Sequence, residues 1–287
     1  MNTISIHIFP HELENYKRVI NQLEESIYDT SNVEIKSVLN INKSVIKHNT
    51  ELEKQISIFN AVSHTFNGKI KSLVTTEYFG VNEHRRVCIN DADINDNLIF
   101  LDVDLHFNNE LLTNILSELK NIPNEYYIIT PQVVRLWDST WDIIVNENYK
   151  KENIGFCENV DICKVLKKTH GESGLVKCEK FKWAGGWFTC ISAKLAKYIG
   201  IPDVFVGYGH DDTFMMHCCG YMKSRKIKVQ QFTLLNNVVC EDRTLINKNK
   251  NYIKINNFRQ LGNRHVIAEY NNFKKRVNRD IYNINES

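Results

Sequence analysis

The chain has 287 residues, with 36 Lys and Arg against 34 Asp and Glu and a formal charge of only +2. That balance excludes a broad electrostatic footprint for nucleic acid and leaves only local basic patches open. Hydrophobic residues at 43% and charged residues at 24% are globular proportions, which exclude a disordered or fibrous chain.

Alternation in Ile4-Ser5-Ile6-His7-Ile8-Phe9 predicts a first strand that stops at Pro10. Leu13, Tyr16, Val19, Ile20, Leu23 and Ile27 then mark one face of a helix. A second strand is expected from Val33 to Leu39, ending at Asn40, and Leu52, Ile56, Phe59, Val62 and Phe66 mark a second amphipathic helix. Ile70 to Thr75 reads as a third strand and Asn82 to Asn90 as a short helix feeding a strand at Leu98 to Leu101. This βαβα order predicts an α/β fold with a mostly parallel sheet. Tyr126 to Thr130 reads as a further strand, followed by a long, weakly periodic stretch from Pro131 to Lys182. Order returns with Trp183-Ala184-Gly185-Gly186-Trp187-Phe188 and a Ser192-capped helix. Gly207-Tyr208-Gly209-His210-Asp211-Asp212 then opens a helix through Met216 to Tyr221. Strands near Ile227 to Val229 and Asn237 to Val239 reach Cys240-Glu241-Asp242, and a polar helix is expected from Asn251. No apolar run approaches the ~20 residues that span a bilayer, and no transmembrane segment is expected. No secretory segment is visible either. The eight cysteines form no C-x-x-C pair, so a cytoplasmic protein with reduced core thiols is the expectation.

The most informative stretch is Phe100-Leu101-Asp102-Val103-Asp104-Leu105. An apolar strand ending in two acids delivers carboxylates to the crevice outside the carboxyl ends of the sheet. Asp102 and Asp104 alternate with Val103, so an extended chain leans both to one side. Paired hard oxygens suit Mn²⁺ or Mg²⁺, which in turn hold a diphosphate. The competing reading makes them caps of the helix that Asn108 and Asn109 precede. Asp211 and Asp212 open another helix, where the dipole favours ionised carboxylates able to act as a general base; helix capping competes there too. His106, His210 and His217 are mostly expected to be ordinary polar residues. Trp137, Trp141, Trp183 and Trp187 suit either sugar stacking or core packing.

In order and spacing, these motifs resemble the GT-A class of nucleotide-sugar glycosyltransferases, most closely the β-1,4-galactosyltransferase type. That family carries a D-V-D-L strand end, an aromatic-x-G-G segment and an acidic pair after a glycine-rich turn. The resemblance implies a Rossmann-like single domain over residues 1–287. Residues 1–107 would form the nucleotide-sugar half, 108–245 the acceptor and catalytic half, and 246–287 a helical tail. It implies a UDP-sugar donor and a metal, Mn²⁺ or Mg²⁺, on Asp104 and Asp102, with Glu241 or Asp242 replacing the family's histidine ligand. Asp212 falls at the catalytic base and Asp211 at the acceptor-binding acid, beside Trp187 and Tyr208. Gly185 and Gly186 would allow close approach of the donor, and Pro10, His11, Asn40 and Arg86 would line the nucleotide. Inversion at the anomeric carbon is implied.

Two rival readings compete for the same residues. A haloacid-dehalogenase-type phosphatase fits poorly, because about a third of the chain precedes Asp102 and Tyr208 stands where its later acid belongs. A GT-A-like binding module without turnover retains no reason to keep Asp102, Asp104 and Asp212 together. The acceptor stays open among glycan, lipid-linked sugar, protein and nucleic acid. A viral enzyme acting on modified DNA bases in the host cytoplasm would use a basic rim at Lys164, Lys167 and Lys168, although a solvated face explains those lysines better.

Overall fold

Among the described residues, strands of alternating or continuous apolar residues build a nine-stranded sheet. In the computed structural model, residues 1–43, 50–122, 125–134, 174–178, 188–207, 209–241 and 258–286 are described. The strands are β1 (Asn2–Ile8), β2 (Val33–Asn40), β3 (Lys69–Thr75), β4 (Asn97–Leu101), β5 (Leu105–Phe107), β6 (Tyr126–Val134), β7 (Gly174–Lys177), β8 (Phe188–Ser192) and β9 (Val229–Glu241). Their order is β3-β2-β1-β4-β8-β6-β9-β5, with β7 also on β9. β1 pairs in parallel with β2 and β4, β2 with β3, and β6 with β9. The antiparallel pairs are β4–β8, β6–β8, β5–β9 and β7–β9. The sheet is therefore mostly parallel in strand direction, as the sequence predicts.

Among the described residues, seven α-helices cover it: α1 (Leu13–Ser26), α2 (Leu52–Ser63), α3 (Val81–Asp91), α4 (Glu110–Glu118), α5 (Ala193–Ile199), α6 (Asp211–Ser224) and α7 (Phe258–Glu286). Strand alternation divides the core between two faces. Ile4, Ile6, Ile8, Ile99 and Leu101 pack under α1, α2 and α4. Leu98, Phe100, Ile128 and Ile191 pack under α3, α5, α6 and α7. Each such Ile, Leu or Phe contributes roughly 1.5–3 kcal/mol by leaving water. The result is a mixed α/β single domain. Cys88, Cys190, Cys218 and Cys219 are fully buried free thiols, and Cys178 is buried as well.

Two local predictions need correction. The two late strands are one, β9, with Asn236 at φ 58° and a register jump opposite Pro131 and Gln132; this irregularity interrupts the alternation on which the sequence reading relied. The tail is amphipathic and not simply polar: Val266, Phe273 and Val277 are buried against the α6 side of the core. Among the described residues, no helix is long and apolar enough to cross a membrane.

Candidate functional site

β4 ends at Leu101, and the chain turns through Asp102, Val103 and Asp104 before the short β5 begins. The two acids therefore sit on a turn, not on the extended strand that the alternation argument assumed. Val103 is 2% exposed and anchors the turn in the core. Asp104 is buried and Asp102 half-buried. On the far side of the turn, β5 pairs with β9 so that Leu105 faces Glu241 and His106 faces Cys240. The end of β9 is thereby delivered to the acidic turn.

The second acidic segment is held by α3. Gly80 precedes this helix, and its backbone N–H donates to Glu83 Oε2 at 2.9 Å. The same carboxylate accepts from Gly207 N at 3.0 and 3.1 Å. Asn82 N–H donates to Gly207 O at 3.1 Å, and its side-chain amide donates to Gly209 O at 3.0 Å. The two backbones approach so closely that a Cβ on Gly80 would lie 2.4 Å from Gly207 Cα. Gly207 and Gly209 take φ values of 80° and 89°, which only glycine adopts without strain. His210 follows at φ 73° and turns the chain into α6.

Asp211, the first residue of α6, is 3% exposed. It does not cap its own helix. Its Oδ2 accepts from Arg85 Nη1 at 2.7 Å, while Arg85 Nη2 donates to Asp102 Oδ1 at 2.9 Å. One buried guanidinium of α3, seated 5.1 Å over the Phe100 ring, thus joins the acid at the end of β4 to the acid at the start of α6. Burial alone would lower the pKa of Arg85, but Asp211 and Asp102 raise it, so it stays charged. Burial pushes Asp102 up to about 6 against the pull of Arg85, with Asp211 and Asp212 adding repulsion. Asp212 is half-buried, and its Oδ1 accepts from Thr213 N at 2.6 Å.

Of the four residues expected to line the nucleotide, Pro10, His11 and Asn40 lie at the carboxyl ends of the first two strands. Pro10 is buried in a short 3₁₀ turn after β1, and His11 stacks on Phe9 with ring centroids 5.9 Å apart. Asn40, the last residue of β2, donates to Phe79 O at 2.6 Å and accepts from Asn42 N at 3.0 Å. Arg86 faces away from the acids. It donates to the carbonyls of Ile201, Pro202 and Phe205 at 2.9, 2.8 and 3.1 Å and pairs with Asp203. Sequence spacing singled out Arg86, whereas helix phase puts Arg85 in the cluster. Asn82 and Glu83 were likewise missed; a Gly-x-x-Glu capping pattern before the helix was the available signal. His217 packs on Tyr270 of α7. Gly185, Gly186, Trp187, Tyr208 and Asp242 lie outside the described residues, as do Trp137, Trp141, Trp183 and the lysine rim.

Beneath α3, His7 Nε2 bonds Phe79 O at 3.1 Å, and Ser5 Oγ meets His84 Nδ1 at 3.3 Å. Burial lowers His7 to about 4 and holds His84 well below its ordinary value, so both rings are neutral near pH 7. For a divalent ion, the donor chemistry fits: Asp102 and Asp104 carry the hard carboxylate oxygens such an ion prefers, and the ladder brings the backbone of position 241 to the same turn. Among the described residues, no group of three His, Cys, Asp or Glu side chains is arranged to hold a metal.

No protein-family model matches the chain, and no curated protein matches it in sequence. Solved structures do resemble it in fold. GalNAc-T7, solved with UDP, GalNAc and Mn²⁺, superposes with a TM-score of 0.50 and 12% identity over 84% of this chain. Residues 1–349 of S. aureus TarS superpose with a TM-score of 0.52 and 13% identity over 95%. The chain spans 43% of the GalNAc-T7 chain and 71% of the TarS chain. Both are GT-A glycosyltransferases, and at these identities the likeness is one of fold.

Proposed function

We propose that the chain is a metal-dependent glycosyltransferase that moves a sugar from a UDP-sugar to an acceptor hydroxyl, with inversion. The observation that carries this reading is the Asp102–Arg85–Asp211 bridge, which draws the acidic turn and the glycine-rich acidic segment into one site at the carboxyl ends of the strands. The GT-A fold supports it, and GalNAc-T7, solved with UDP and Mn²⁺, supports the choice of donor and ion. The finer kinship with the β-1,4-galactosyltransferase type rests on motif order alone.

In this reading Asp104 and Asp102, with Glu241 or Asp242, would hold Mn²⁺ or Mg²⁺. Such an ion, when bound, stabilises the negative charge of the departing diphosphate. Pro10, His11 and Asn40 border the nucleotide, while Gly185 and Gly186 let the donor sugar approach closely. Arg85 fixes Asp211, which orients the acceptor; the motif resemblance alone assigns Trp187 and Tyr208 to the acceptor as well. Asp212 takes the proton of the acceptor hydroxyl as its oxygen bonds to the anomeric carbon and the carbon–oxygen bond to UDP breaks. A single displacement of this kind converts an α-linked donor into a β-linked product.

The test is a panel of UDP-sugars with Mn²⁺, scored for hydrolysis and for transfer to glycan, lipid-linked and nucleic-acid acceptors. Asp104→Asn should abolish turnover and weaken calorimetric binding of UDP and Mn²⁺ without unfolding the protein. Undiminished binding in that variant removes Asp104 from the ligand set, and no hydrolysis or transfer of any donor by the wild type overturns the enzyme reading.

A further inference from the structure

The carbonyls of Val103, Leu105 and Phe107 are three alternate acceptors on the segment that carries Asp102 and Asp104. Among the described residues β5 is the terminal strand in the sheet order and one of its edges has no strand neighbour, so a buried carbonyl there needs another partner. All three are met by side chains of α1. Arg18 Nη2 donates to Val103 O at 3.0 Å and Arg18 Nη1 to Leu105 O at 2.7 Å. Gln22, one helical turn later, donates through Nε2 to Phe107 O at 2.9 Å, and its Oε1 accepts from Arg18 Nη1 at 3.0 Å. The i, i+4 spacing places both side chains on one face of α1, where they stand in for a missing strand. The pair lies beside an open depression of about 390 Å³ on α1, also bordered by Glu14, Lys17, Asn21 and Glu25.

We infer that Arg18, with Gln22, is a positioning residue for the donor site: it sets the turn that presents Asp102 and Asp104. The inference rests on the glycosyltransferase reading for its consequence, but not for its geometry. On this segment Arg18 donates to two backbone carbonyls, those of Val103 and Leu105. A planar guanidinium forms the two-carbonyl fork that a lysine ammonium does not reproduce. Groups that orient ligating carboxylates matter about 10- to 100-fold in metal affinity.

The experiment compares wild type, Arg18→Met, Arg18→Lys and Gln22→Leu for binding of Mn²⁺ and of UDP with Mn²⁺, alongside thermal unfolding. Arg18→Met should lose about 10- to 100-fold in Mn²⁺ affinity at nearly unchanged melting temperature. Arg18→Lys should recover part of this, and millimolar guanidinium should restore Arg18→Met. Rescue is a readout that a merely structural loss would not give. Wild-type affinity in Arg18→Met, or a loss that guanidinium leaves untouched, overturns the inference. Should Arg18→Met not fold, Gln22→Leu removes the Phe107 bond and the Gln22 contact that steadies Arg18, and an unchanged affinity there overturns it too. If wild type binds neither probe, the glycosyltransferase reading fails by itself. The clamp is then read from amide exchange at residues 103–107, which must quicken in Arg18→Met and recover with guanidinium.

Discussion

The acidic turn at 102–104 and the segment at 207–212 end on the same guanidinium but are built by different means. The turn is fixed from its flanks: β4 runs into it, the β5–β9 ladder leads out, and α1 side chains take its carbonyls. Among its described residues the glycine segment has no strand ladder. Positive φ values at Gly207, Gly209 and His210 shape it, and the first turn of α3 grips its backbone. One segment is set by strand pairing, the other by a helix that also carries Arg85. The relation between them thus depends on α3, and changes there should uncouple two segments that remain individually formed.

The largest effect is expected from Arg85→Met. It removes the countercharge of buried Asp211 and of Asp102 together, and breaking such a pair costs about 3–5 kcal/mol. Denaturant titration measures it; a loss under about 1 kcal/mol would mean that the bridge does not hold the segments together. Asp212→Asn should follow, cutting turnover at least ~100-fold, the scale of general-base catalysis. Stability and UDP binding should largely stay, because Asp212 is half-buried and the Arg85 guanidinium keeps its bonds to Asp102 and Asp211. Near-normal turnover would pass the base role to Asp211.

Gly80→Ala should cost about 1–3 kcal/mol, the usual range for overpacking. The neighbour at 2.4 Å is Gly207 backbone and not a flexible side-chain end. It sharpens the comparison, because Mn²⁺ affinity at the turn should persist while turnover falls. Equal losses in both would mean that the two segments are one cooperative unit.

The smallest effect is one of pH. His7 falls from 6.5 to about 4 in the folded chain, so the unfolded state binds more protons between those values. Stability is therefore lost as pH drops from 6.5 toward 4, by under about 1 kcal/mol at pH 6. Asp102, raised from 3.8 to about 6, has the opposite sign: its contribution declines as pH rises through that window. Melting temperatures between pH 4 and 7 for wild type and His7→Gln separate the two. An unchanged slope in the variant would show that His7 does not couple α3 to the sheet in acid.

Much of the frame was legible because periodicity is a local property. Tyr16, Val19, Ile20 and Leu23 mark α1 whatever lies across from them, and all are fully buried. The acids at 102, 104, 211 and 212 were legible because apolar strands and glycines bracket them. β5 and β7 escaped detection, being too short for alternation to register. The sequence by itself determined the α/β order and named the acids. Only the tertiary structure decided which of two adjacent arginines meets them, because consecutive residues on a helix point about 100° apart. Motif spacing favoured Arg86, yet the packing of α3 on β1 turns Arg85 inward and sends Arg86 to the 201–205 loop. The same holds for Arg18: nothing in a surface helix announces a carbonyl edge some 85 residues away. Side-chain partners of that kind are fixed by the rotation and approach of whole elements, which local sequence does not encode.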